Sequence, residues 1–241
     1  LIEAGLTWGF YHLGLRNLAD STVVDQCKKF LTSAFSAETR LGAAHFFYRS
    51  PVLPVQNFAS ELILTATEDP NVYVRMAAAN GLRKVKTEES FEALKKIIST
   101  DKDYRVRCNA VRALSAFEFE ESQATFFAAL SDENIHVEIA ASELIQNKAT
   151  PGYQKEIVEK ARTAKNWRVQ ADLYKTTLAL GPNKELVDEV ESIYTASNND
   201  YQKSWLLGSL SKAIETFPFI RDELVSSKIL VIKSSAAQAL V

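Results

Sequence analysis

The chain has 241 residues, 46% hydrophobic and 24% charged, with 8 Gly and 6 Pro; breakers are scarce and Ala, Leu, Glu and Lys abundant, which excludes a disordered chain and favours helix. A formal net charge of -2 offers no global attraction to a polyanion such as DNA. No apolar run approaches the ~20 residues of a membrane span, and Cys27 and Cys108, the two cysteines, lack the spacing of a disulfide framework or metal knuckle.

The stretch VRMAAANGL at 74–82 returns as VRCNAVRAL at 106–114. With Val74 as reference, equivalents fall at Thr7, Thr39, Val106, Val137, Val169, Tyr201 and Ile232, in steps of 32, 35, 32, 31, 32, 32 and 31 residues. A period this regular marks stacked repeats. In chain order the elements are a leading apolar helix over 2–17, an amphipathic segment at 21–34, and the insertion SPVLPVQ at 50–56 that accounts for the long step. Further amphipathic segments follow at 55–67, 88–99, 120–131, 153–164, 184–196 and 218–228, each preceding a helix of the reference type. Every unit therefore reads as a helical hairpin. The chain is expected to be all-α, a single superhelical array over 1–241 of about seven hairpins after the leading helix, and a piece of something longer, because neither end carries the polar face that caps such arrays.

Offsets 0, 4, 7 and 8 from each reference residue share one helix face and form the expected core. Offset four is often Ala (Ala43, Ala78, Ala110, Ala141, Ala236), offset seven small (Gly14, Gly81, Ala113, Gly208, Ala239) and offset eight bulky (Leu15, Phe47, Leu82, Leu114, Ile145, Leu240). Offsets two, six and nine point away. They read Met76, Asn80, Arg83, then Cys108, Arg112, Ser115, then Ile139, Glu143, Gln146, and with Arg105 they supply the expected partner-binding residues: Met76, Asn80, Arg83, Arg105, Cys108, Arg112, Ile139 and Glu143. The joints DPNV (69–72), DKDY (101–104), DENI (132–135), KNWR (165–168) and NNDY (198–201) hold Asp and Asn able to cap the second helix. Thr87 and Thr150-Pro151 mark starts of first helices.

Asp69, Asn71, Val74, Arg75, Ala78 and Leu82 follow the pattern D-x-N-x-x-V-R-x-x-A-x-x-A-L, and Val106, Arg107, Ala110, Ala113 and Leu114 repeat its helical part. The chain thus resembles the HEAT repeat family in its short HEAT-like form. That resemblance implies a right-handed superhelix of antiparallel helix pairs with the second helices on its inner surface. Later units depart from the pattern: Glu138, Gln170 and Gln202 stand at the Arg position, and Leu173 and Trp205 replace the small residue.

Little in the sequence announces chemistry. His12, His45 and His136 are dispersed with no metal-binding spacing, no glycine loop or nucleophile elbow occurs, and the carboxylate groups Glu120-Glu121, Asp188-Glu189-Glu191 and Asp222-Glu223 fall on polar helix faces. No cofactor or metal is expected. Arg40, Arg75 and Arg107 form a row that reads either as an anion-binding stripe or, preferred here, as a structural ladder bonding Asp69, Asp101 or Asp103 of neighbouring hairpins. Arg83, Lys84, Lys86, Lys95, Lys96, Lys102, Arg105 and Arg112 make 83–112 locally basic, a candidate receiver for an acidic partner.

The leading expectation is a non-catalytic protein- or peptide-binding scaffold, since a solenoid gives a long surface and little enclosure. Through Gly9, Gly14, Arg16, Arg40, Ala43, Ala44 and Arg49 the opening also resembles the HEAT-repeat region that precedes the cyclophilin domain of some bacterial peptidyl-prolyl isomerases. This implies an envelope or periplasmic folding helper whose repeats hold a client. The alternative class is a HEAT-like lyase or a nucleic-acid-binding repeat protein, and the charge balance disfavours the latter.

Overall fold

The structure is a computed structural model describing residues 2–51, 53 and 58–241. Most of the insertion at 50–56 and the start of the segment 55–67 lie outside the described residues. Fifteen α-helices and no strand are found among those described, in two compact units, Leu1–Thr125 and Phe126–Val241.

The first unit contains α1 (Ile2–Leu15), α2 (Ser21–Phe30), α3 (Ala37–Arg49), α4 (Ala59–Glu68), α5 (Val72–Leu82), α6 (Glu88–Thr100), α7 (Tyr104–Leu114) and the start of α8 (Phe119–Ala129). Its hairpins are α2–α3, α4–α5 and α6–α7, and the second helices α1, α3, α5 and α7 stack side by side. The second unit takes the end of α8, then α9 (Ile135–Lys148), α10 (Gln154–Thr163), α11 (Trp167–Leu180), α12 (Lys184–Ala196), α13 (Asp200–Leu210), α14 (Phe217–Ser226) and α15 (Leu230–Ala239). Here α10–α11, α12–α13 and α14–α15 pair, and α9, α11, α13 and α15 stack in turn. Both units are all-α stacks of HEAT-like hairpins.

The caps explain the boundaries. Asn71, Asp103, Asn134, Asn166 and Asn199 each accept a backbone N–H from the first turn of the helix they open, satisfying donors that have no partner inside the helix. Thr87 and Ser90 close a reciprocal capping box on α6. Pro151 opens a 3-10 turn, Pro151–Tyr153, and α10 begins only at Gln154.

The cores follow the expected offsets with two corrections. Val74, Ala78 and Leu82 are fully buried, as are Val106, Ala110, Ala113 and Leu114, and burying one such Leu side chain is worth ~2 kcal/mol. Leu15 departs from the pattern, at 44% exposure. In α13 the register is off by one: Tyr201 is 65% exposed, whereas Leu206, Ser209 and Leu210 are buried, so the reference position belongs to Gln202. The shift follows the cap: Asn199 opens α13 33 residues after Asn166 opens α11, against 32 from Asn71 to Asp103, and the reference residue stands three places after each cap. Gly208, expected as the small core residue, is half-buried instead.

Close approach of helices depends on glycine at one joint in particular. A Cβ on Gly42 would stand 2.8 Å from the Cβ of Thr7, so α3 lies against α1 only because no side chain intervenes.

Candidate partner-binding surface

The second helices expose their outer faces, and the residues holding their N-termini determine which charges remain available. In three of the joints an Asp two places before the cap accepts the cap residue's own N–H: Asp69 Oδ1 from Asn71 at 2.8 Å, Asp101 Oδ1 from Asp103 at 2.9 Å, Asp132 Oδ1 from Asn134 at 2.8 Å. The arginines use the same carboxylates. Arg40 donates through Nε and Nη2 to Asp69 at 2.5 and 3.0 Å, and through Nη1 to the Phe35 carbonyl at 2.5 Å. Arg75 repeats this on Asp101 at 2.8 and 3.1 Å, with Nη1 on the Asp69 carbonyl at 2.8 Å. Arg107 Nη1 bonds the Asp101 carbonyl at 2.9 Å. Two-pronged Arg–carboxylate contacts are the strong class of charged hydrogen bond. The bonds to Asp69 and Asp101 hold the Arg40 and Arg75 guanidinium groups firmly protonated.

Asp103 does not join these rungs. It caps α7 and is gripped by Arg105 Nε at 3.0 Å and Nη2 at 2.7 Å, and these bonds pull its carboxyl down to about 2. Arg105, expected to face a partner, is therefore held on the joint, half-buried, with its guanidinium 5.3 Å from the ring centre of Tyr73.

The remaining expected contact residues are divided. Arg83 and Arg112 are exposed, and neither guanidinium has an ion-pair partner among the described residues. Met76 and Asn80 are half-buried on the same face of α5, the Asn80 amide donating to the Met76 carbonyl at 3.2 Å. Cys108 is buried, at 5% exposure, which removes it from any surface. Offset two points away from the hairpin partner but into the flank covered by a stacked neighbour such as α5, and a small side chain disappears there. Ile139 and Glu143 belong to the second unit, both half-buried, Glu143 accepting from Arg168 Nη2 at 3.2 Å.

Lys84, named in the sequence only as part of the basic stretch 83–112, and His45, named only as a dispersed histidine, take more specific places in the fold. Lys84 donates from Nζ to the carbonyls of Phe47, at 3.3 Å, and Ser50, closing the end of α3. Burial first, then the charges of Arg83 and Arg49, push it down to about 8. Arg49, Arg83 and Lys84 thus gather positive charge at the C-terminal ends of α3 and α5. Beside them, Trp8, Tyr11, His45 and Tyr48 form a half-buried aromatic cluster across α1 and α3: His45 lies 5.6 Å from Trp8 and 6.2 Å from Tyr11, and Arg49 sits 4.5 Å from the Tyr48 ring centre. Trp8 Nε1 donates to Glu38 at 2.7 Å. Burial, with Arg49 nearby, lowers the His45 pKa. The signal was present in the spacing, since His45 and Tyr48 occupy offsets six and nine, but the assembly requires α1 to lie beside α3.

Among the described residues no group of three His, Cys, Asp or Glu side chains is placed to hold a metal, and no helix is long and apolar enough to cross a membrane. Burial pushes the Cys27 thiol far above its ordinary range, the opposite of an activated nucleophile.

Residues 59–126, from α4 into α8, match the family described as HEAT repeats. No curated protein matches the chain. HEAT repeats generally mediate protein–protein interaction or scaffolding, and their helical fold is typically non-catalytic.

Proposed function

We propose that the chain is a non-catalytic scaffold module whose first unit receives an acidic segment of a protein partner. The observation that carries this is the sorting of its arginines: Arg40, Arg75 and Arg105 are bound to Asp69, Asp101 and Asp103, whereas Arg83 and Arg112 stand exposed without an ion pair among the described residues. Charges left in water at a rim steer and orient a partner more than they stabilise a fold. Arg49, Lys84 and the Tyr48 ring extend the same face. A finer form of the proposal, client holding within a bacterial folding helper of the isomerase type, is supported by the resemblance in α1 and α3.

The test is retention on immobilised polyglutamate. Charge reversal at Arg83 and Arg112 together is expected to cut retention about tenfold while leaving the melting temperature within ~1 °C, because neither side chain is engaged in the fold. Unchanged retention would move the acidic partner to another face.

A further inference from the structure

Within the second unit, α11, α13 and α15 enclose a groove of about 330 Å³ lined by Lys175, Ser204, Trp205, Gly208, Ser211, Lys212, Ser235, Gln238 and Ala239. Its chemistry is one-sided. It has two lysines and no carboxylate in its lining, and neither Lys175 nor Lys212 has an ion-pair partner among the described residues.

The groove has a fixed aromatic wall. Trp205 donates Nε1–H to the buried Asp172 carboxylate at 2.9 Å, carries the Arg168 guanidinium 5.1 Å from its ring centre, and meets Trp167 edge-on at 6.2 Å. Asp172 is held in turn by the Ser142 hydroxyl at 3.3 Å. A tryptophan oriented from three sides loses little freedom on binding, which is how rigid aromatic residues become energetic anchors at interfaces. It remains 38% exposed.

The groove floor contains Gly208, in the last turn of α13. Glycine inside a helix costs ~1 kcal/mol relative to alanine and usually answers a packing need. At Gly42 that need is visible in Thr7; at Gly208 nothing lies within 4 Å of where a Cβ would be. The open volume above Gly208 is therefore not required by any neighbour in the fold.

We infer that this groove binds an acidic, extended peptide segment carrying an apolar side chain between its carboxylates. The apolar group lies on Trp205, the flanking carboxylates take Lys175 and Lys212, and Ser211 and Gln238 offer hydrogen bonds to the peptide backbone. The inference stands on residues of the second unit alone and does not depend on the Arg83–Arg112 face.

The probe is a fluorescein-labelled, end-blocked peptide of glutamates flanking a central leucine, with its glutamine counterpart as control. Binding is read by anisotropy on the full chain carrying Arg83→Glu and Arg112→Glu, so that capture by the first unit does not contribute. Residual binding of the glutamate peptide, absent for the glutamine one, is the expected result. Lys175→Glu with Lys212→Glu should weaken it about tenfold or more. Gly208→Leu should weaken it similarly by filling the groove, without lowering the melting temperature, since the added side chain enters open space.

No binding in the Arg83→Glu, Arg112→Glu chain would overturn the inference while leaving the first-unit proposal intact. Binding indifferent to both groove variants would overturn it too. Tighter capture of a single-stranded oligonucleotide, lost in those same variants, would overturn the peptide assignment in favour of a nucleic acid.

Discussion

The two units solve the same joint with different chemistry. In the first, α5 and α7 each start beneath a charged rung: Arg40 on Asp69, Arg75 on Asp101, both pairs largely buried, at 8% and 4% side-chain exposure for the former and 15% and 7% for the latter. In the second, the corresponding places hold Glu138, with Ala164 two places before the next cap, and Gln170, whose side chain accepts from Gln202 at 3.4 Å while Ser197 donates to Gln202 at 2.7 Å. A buried ion pair is stable only while both partners are present, because either one alone is a desolvated charge. A neutral amide network can lose a member at the cost of one modest hydrogen bond. The first unit should therefore be brittle at its joints and the second tolerant.

The largest expected effect follows directly. Arg40→Ala leaves Asp69 buried and unpaired and should destabilise the first unit by about 3–5 kcal/mol, seen as a fall in melting temperature. Arg40→Met with Asp69→Leu, which removes both charges, should recover much of that loss, although Asp69 also serves the Asn71 N–H. The matching change in the second unit, Gln170→Ala, should cost about 1 kcal/mol or less. Equal losses for Arg40→Ala and Gln170→Ala would end the contrast.

Much of this was legible from spacing. The hairpins, the stacked second helices and the Asx caps all follow from a 32-residue period and from Asp and Asn at the joints, because caps and helix faces are local properties. The row Arg40, Arg75 and Arg107 was legible as a row, but its acceptors were only narrowed to three aspartates. Asp69 and Asp101 differ from Asp103 by standing two places before the cap rather than at it, and only the folded joint shows that this position serves both the cap N–H and the guanidinium. Three things lay beyond the sequence. The cap of α13, Asn199, comes one residue later than the period predicts, so offset counting puts Tyr201 inside and Gly208 in the core. Cys108 was placed outside because offset arithmetic describes a lone helix, and stacking covers the flanks as well. The Trp8–His45 cluster and the Trp205 groove are made by neighbouring helices, where chain order is silent.

An intermediate effect sharpens the comparison by transplanting the rung. Glu138 is half-buried, with burial and then Asp132 raising its pKa, and it has no hydrogen-bond partner among the described residues. Glu138→Arg combined with Ala164→Asp places the first unit's pair on α9 and the joint before α11. The double change should be more stable than the sum of the two single changes by roughly 1 kcal/mol or more, measured as a double-mutant cycle in urea. Additive behaviour would mean that the second unit's joint has a geometry of its own and that its neutral residues are not simple replacements.

The smallest effect concerns pH and belongs to the first unit. His45 is packed among Trp8, Tyr11 and Tyr48 with Arg49 beside it, and its folded pKa lies below the ordinary 6.5. As pH falls through about 6.5 the unfolded chain binds a proton that the folded state resists, so this contribution is present above that pH and lost below it. Melting temperature should therefore drop between neutral and mildly acidic pH, and His45→Gln, which cannot take the proton, should flatten that drop. A profile unchanged by His45→Gln would assign the acid sensitivity to groups other than the aromatic cluster, and the cluster would then be only a packed surface beside the Arg49 and Arg83 charges.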